Sequence, residues 1–177
     1  MELEMADVLD SVTGDKTGDT IDLRIAHRNG TWHGSIHLWV ISTDRKRVLL
    51  QKRSAEKFFF PSIWDISVGG HITAGDEPEE TVLREAQEEL DIDTSKYKLE
   101  YITRVQEDFI NNGITSNEFV YVYKLFADID IDTIHLQEEE VSDCRWFTKK
   151  EFKELIKNKE IINHVEEFKI INKILKG

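Results

Sequence analysis

The chain has 177 residues, 40% of them hydrophobic with four Trp and nine Phe, which suits one globular domain with a sizeable core rather than a disordered segment. A formal net charge of −12 argues against a tight grip on a DNA or RNA backbone, and no apolar run approaches the ~18 residues of a membrane span. Cys144 is the single cysteine, which rules out an intrachain disulfide and any Cys/His zinc spacing; the acidic start, MELEMADVLD, lacks the basic and apolar regions of a secretory leader, so a soluble cytoplasmic protein is the expectation.

In chain order, ADVLD (6–10) reads as an edge strand and SVTGDKTGDT (11–20) as turns. IDLRIAH (21–27) is ambiguous, and NGTWHG (29–34) reads as a loop. SIHLWVIS (35–42) and KRVLLQKR (46–53) alternate as paired strands joined by a polar turn. The aromatic loop SAEKFFFPSIW (54–64) leads to a short strand, DISVGG (65–70), that ends on two glycines. A turn, ITAGD, precedes a helix over Glu77–Leu90, with Pro78 tolerated in its first turn. Two strands follow, KYKLEYITRVQE (96–107) and SNEFVYVYKLFA (116–127), around a loop at 108–115. SDCRWF (142–147) reads as another strand. Thr148 and Glu151 form a capping box that opens KKEFKELIKN, and the tail EIINHVEEFKIINKIL (160–175) has a helical period. The order predicts a mixed α/β (α+β) layer architecture. It is one domain over 1–177: an extension (1–34), a core (35–148) and C-terminal helices (149–177).

The helix carries the chemistry. At about 100° per residue, Val82, Ala86 and Leu90 share one side. Glu85, Glu88 and Glu89 share an arc centred about 120° away, beside the apolar stripe rather than opposite it. Like charges at that spacing repel by a few tenths of a kcal/mol, and a hard divalent cation with oxygen ligands removes the repulsion. A solvated acidic face is the alternative. Gly69, Gly70 and Gly75 just upstream allow tight turns and close approach of main-chain carbonyls.

Gly70, five residues, Asp76, seven residues and then REAQEELDI resembles the Nudix box over residues 70–92. Gly70, Arg84, Glu85, Glu88, Glu89 and Ile92 match in register. Asp76 stands where Glu is usual, Ala86 where a larger apolar residue is, and Asp91 where glycine follows the helix. The resemblance implies a Nudix-like mixed sheet sandwiched between helices. It also implies Mg²⁺ (or Mn²⁺) held by Glu85, Glu88, Glu89 and the Gly69 carbonyl, with Arg84 orienting a glutamate. The family adds an acidic ligand from outside the box; Glu118 is the candidate, with Glu107 and Glu138 to Glu140 behind it.

IHLWVI, LLQKRS and FFFPSIWDISVGGHITAGD further resemble the isopentenyl-diphosphate isomerases and their hydrolase relatives. In that comparison His37, His71 and Glu118 fall where the isomerase places metal ligands. His71, Arg53 and His37 are the candidate substrate contacts, whereas His27 and His33, in an irregular region, say little. The isomerase also needs an acid/base cysteine where this chain has Gly69, so one of the two groups that alkene isomerisation requires is missing. The expectation is therefore a Nudix hydrolase that cleaves the diphosphate linkage of a small nucleoside-diphosphate-type or isoprenoid metabolite. An isomerase and a non-catalytic metabolite-sensing module are the alternatives. No nucleic-acid polymer or membrane is expected as a partner; the amphipathic tail leaves room for a homodimer, though folding back on the domain is favoured.

Overall fold

The structure, a computed structural model, describes residues 4–57, 59–111 and 114–177. The chain begins with an antiparallel hairpin of β1 (Met5–Leu9) and β2 (Lys16–Asp22). The expected turn is there, with the Asp10 carboxylate accepting from the backbone N–H groups of Val12 and Thr13. It is shorter than predicted, because residues from Lys16 onward pair with β1 instead. The ambiguous IDLRIAH resolves into the end of β2 and α1 (Leu23–Asn29), capped by the Asp22 side chain and closed by Gly30 at φ 65°.

The principal sheet centres on β3 (His33–Ile41), buried along its whole length. It runs antiparallel to β4 (Arg47–Arg53) and β6 (Val68–His71), and parallel to β8 (Ile114–Phe126). The short β5 (Trp64–Asp65) and β9 (Val141–Thr148) flank β4, and β7 (Glu100–Asn111) pairs antiparallel with β8. The expected loop at 108–115 is mostly strand, since the β7–β8 ladder continues to Asn111 and Ile114; residues 112–113 lie outside the described set.

Alternation along β3 divides the core. Ile36, Leu38 and Val40 pack with Val82, Ala86 and Leu90 of α2 (Pro78–Leu90). Trp39 and Ile41 face the other way, against Phe152 and Leu155 of α3 (Lys149–Asn158) and Phe168 and Ile171 of α4 (Val165–Ile174). The fold is thus a mixed sheet between helices, as the sequence pattern implies. Each Leu, Ile or Phe buried in these layers contributes about 1.5–3 kcal/mol. The apolar face of α4 is consumed by the domain itself.

Local signals act at the helix ends. Thr148 and Glu151 form the predicted capping box of α3, and α2 starts with its own box between Glu77 and Glu80. Asp91, at the position where the box resemblance expects glycine, adopts the left-handed conformation (φ 52°) that closes α2. Its carboxylate accepts from the Gln87 amide and lies 3.0 Å from His135 Nδ1, local bonds of the kind that let Asp enter this region. The tail differs from the expected single helix. Ile162 N–H donates to the Trp64 carbonyl and Trp64 N–H to the Glu160 carbonyl, so 160–162 is held at the sheet edge, His164 N–H turns back to the Ile162 carbonyl, and the helix starts at Val165.

Candidate active site

β6 carries Gly69 and Gly70 opposite His37 and Ile36 of β3, and α2 packs against this strand. A Cβ added to Gly70 would stand 2.5 Å from the Glu85 carboxyl carbon, so the absent side chain is what lets this carboxylate lie against the strand. The three acidic residues occupy three depths. Glu89 is only 4% exposed and accepts from the Gly69 N–H (3.3 Å) and the Gln51 amide (3.1 Å). Glu85 is half-buried, and the Glu88 side chain is 49% exposed. Arg84 bridges the outer two, 2.8 Å from Glu85 and 3.2 Å from Glu88. Burial, with Glu85 nearby, pushes the Glu89 carboxyl up to about 8. Burial raises Glu85 as well, against the pull of Arg84.

These groups form one wall of a cavity of about 330 Å³. His71, Glu118, Arg53 and His37 line it too, so the candidate residues share one concavity, together with Lys57 and the aromatic rings of Phe59, Phe60 and Phe109. Arg53 reaches it with its guanidinium committed, donating to the Phe59 carbonyl (3.1 Å) and to Asp65 (3.3 Å). Asp76 sits half-buried in the turn before α2, off this wall.

Glu118, also in the lining, is grouped with three imidazoles, one of them His71 directly after Gly70. One potential ligand atom from each of His27, His33, His71 and Glu118 lies within 4.8 Å of the others. Glu118 stands 3.7 Å from His71 Nε2 and 3.9 Å from His33 Nε2. Burial, then the neighbouring imidazoles, pull His27 down to about 4, and burial lowers His33. Burial opposes the charge of Glu118, yet His71, His33 and Ser116 outweigh it and hold the carboxyl well below its usual range. His27 Nε2 and His33 Nε2 are buried without a hydrogen-bond partner among the described residues. Burial opposes the charge of His71, yet Glu118 raises it; His27 and His33, with unused nitrogens beside an ionised carboxylate, offer what a divalent metal ion takes.

His27 and His33 were missed by sequence reasoning. One lies on a helix and the other starts a strand, and only the turn at Gly30 brings their rings to 5.1 Å. His37 departs from the isomerase comparison. Four residues past His33, it is about 13 Å further along the strand and does not join His71 and Glu118. Its Nδ1 lies 2.7 Å from Glu167 instead, inside the layer beneath α4.

The NUDIX domain family matches residues 32–167 of this chain. Nudix hydrolase 3 of Arabidopsis thaliana is 36% identical over 160 residues, covering 88% of this chain; the chain spans 21% of the length of that protein. An isopentenyl-diphosphate Delta-isomerase of Salmonella arizonae is 30% identical over 133 residues, covering 75% of this chain and 71% of that protein. DR0079 of Deinococcus radiodurans shares the fold, with a TM-score of 0.73 at 19% identity, covering 98% of this chain and 100% of that one. The box, the sheet that carries it and a family match over most of the length place the chain in the Nudix hydrolase family.

Proposed function

We propose that the chain is a divalent-metal-dependent pyrophosphohydrolase that cleaves the diphosphate linkage of a small metabolite, either a nucleoside-diphosphate derivative or an isoprenoid diphosphate, using Mg²⁺ (or Mn²⁺). The observation that carries this reading is Glu89. It is a buried carboxylate whose hydrogen-bond donors are neutral, set beside Glu85 and Glu88 on a cavity wall. A buried anion without a cation is costly, and the residues fit one: Gly70 leaves room for Glu85, and the Gly69 N–H already reaches the Glu89 carboxylate. Glu85, Glu88, Glu89 and the Gly69 carbonyl would hold the ion. When bound, it neutralises the diphosphate oxygens and acidifies the attacking water.

The chain's own groups do the rest. Arg84 fixes Glu85 and Glu88 by charge-assisted bonds. Glu85, its carboxyl raised by burial, is suited to take a proton from water. His71, Lys57 and Arg53 line the same cavity and offer donors to phosphate oxygens. Phe59, Phe60 and Phe109 supply an apolar end for a base or a prenyl chain. His37, with Nδ1 engaged by Glu167, is not carried forward as a substrate contact.

The imidazole cluster around Glu118 and the likeness to an isopentenyl-diphosphate Delta-isomerase favour a second reading, isomerisation of an isoprenoid diphosphate. Two positioned acid/base groups would be needed. Gly69 supplies none, and Cys144 lies in the core of β9 with burial pushing its thiol up to about 12. A panel of diphosphates incubated with Mg²⁺ separates the readings: release of phosphate or a monophosphate supports hydrolysis. Conversion of isopentenyl to dimethylallyl diphosphate without phosphate release would replace it with isomerisation.

A further inference from the structure

Beneath α4 lies a second group of imidazoles and carboxylates that the hydrolytic reading does not use. His37 comes from β3, Glu107 from β7, and His164 and Glu167 from the cap and first turn of α4. One ligand atom from each lies within 4.8 Å of the others. His37 Nδ1 is 2.7 Å from Glu167, and His164 Nδ1 is 3.0 Å from Glu107. His37, His164 and Glu167 are buried, and Glu107 nearly so. His37 and His164 also line the cavity, so an ion could reach them from there.

We propose that His37, Glu107, His164 and Glu167 bind one divalent transition-metal ion of the zinc class, at a site apart from the Nudix box. Size fits first. A tetrahedral ion with bonds of about 2.1 Å holds its ligands about 3.4 Å apart. The two direct contacts, 2.7 and 3.0 Å, are shorter than that and every other pair lies within 4.8 Å, so small side-chain movements would seat it. Charge fits next. Asp65 is matched by Arg53 at 3.3 Å, His37 pairs with Glu167 and His164 with Glu107, so a divalent ion would take the place of the protons that the two rings hold toward those glutamates.

Outer partners point the same way. His164 uses Nδ1 toward Glu107 while Nε2 lies 2.9 Å from Asp65, so a carboxylate orients the ring from behind. Glu167 faces His37 with one oxygen and accepts from the Trp39 indole with the other. Carboxylate–histidine–metal arrangements are built this way. Two nitrogens and two oxygens select zinc, cobalt or manganese over magnesium, which prefers oxygen alone.

The test uses the full chain, stripped with a chelator and given zinc in the presence of excess Mg²⁺, which occupies oxygen-only sites. Crystals are measured on either side of the zinc absorption edge. An anomalous peak bonded to nitrogens of His37 and His164 is expected. No peak there at saturating zinc, or a peak confined to His27, His33, His71 and Glu118, overturns the site. In solution, His37→Asn and Glu167→Gln should each lose one equivalent of bound zinc that Glu118→Gln retains. Zinc content in His37→Asn and Glu167→Gln equal to that of the unsubstituted chain would also refute it. Since neither readout involves turnover, failure here is distinguishable from failure of the hydrolytic reading.

Discussion

The two walls of the cavity are built in opposite ways. The box wall comes from a continuous run of the chain, from Gly69 to Glu89, where a strand end, a turn and one helix fix every position locally. The imidazole group beside it draws on a short helix, the start of β3, His71 at the end of β6 and the middle of β8, and its members meet only because β8 runs parallel to β3 with His33 opposite Glu118. The first wall gathers three carboxylates against one guanidinium, with Glu89 held by neutral donors. The second balances one carboxylate against three imidazoles. A periodic segment can therefore gather like charges by itself, whereas a mixed ligand set needs the sheet.

Substitutions that separate the walls should differ in size. The largest effect is expected for Glu89→Gln, which keeps the shape and removes the buried charge. Turnover with Mg²⁺ should fall about 10²–10³-fold, the scale of losing one charge-stabilising group in a dry site, with circular dichroism unchanged. Full turnover would end the assignment of Glu89 as a ligand. Glu118→Gln in the imidazole group should cost about 10–100-fold, since its carboxylate acts with the histidines around it. If rates are unaltered, that group is scaffold rather than site.

Gly70→Ala probes the close approach directly. The new methyl would displace Glu85, and a loss of about 1–3 kcal/mol in chemical denaturation is expected from overpacking. Magnesium and pH sharpen the contrast further. The folded-state value of about 8 for Glu89 lies above the ordinary carboxylate range, so the protonated carboxyl contributes stability below pH ~4.5 that is lost as pH rises toward 8. Thermal melts of the metal-free chain should therefore decline across that window through this group. The rise in Tm on adding Mg²⁺ should be greater at pH 8 than at pH 5; an equal rise at both would mean that Glu89 does not meet the ion.

The smallest effect is expected at Asp91→Gly. Glycine relieves the left-handed backbone, worth about 1 kcal/mol, while the bonds to Gln87 and His135 are lost. The net change in stability should stay within about 1 kcal/mol, and turnover should be unaffected.

Much of the fold was legible because its signals are local. Alternation placed β3 and β4, a 3.6-residue period placed α2, and the Thr148–Glu151 pair marked the start of α3. Where pairing partners are distant, the reading failed. The strand at Lys16–Asp22 exists because β1 faces it, the continued β7–β8 ladder replaced an expected loop, and residues 160–162 leave the helical pattern because Trp64 binds their backbone.

By itself the sequence determined the box helix, its three glutamates and the glycines beneath them, since helical periodicity and short-range turn chemistry act within a few residues. Only the tertiary structure decided that Glu89 is buried while Glu88 is not, that His27 and His33 join His71 and Glu118, and that His37 belongs with α4. Each of those outcomes depends on strand register and on which elements cover which face, and these are set by contacts between residues tens of positions apart.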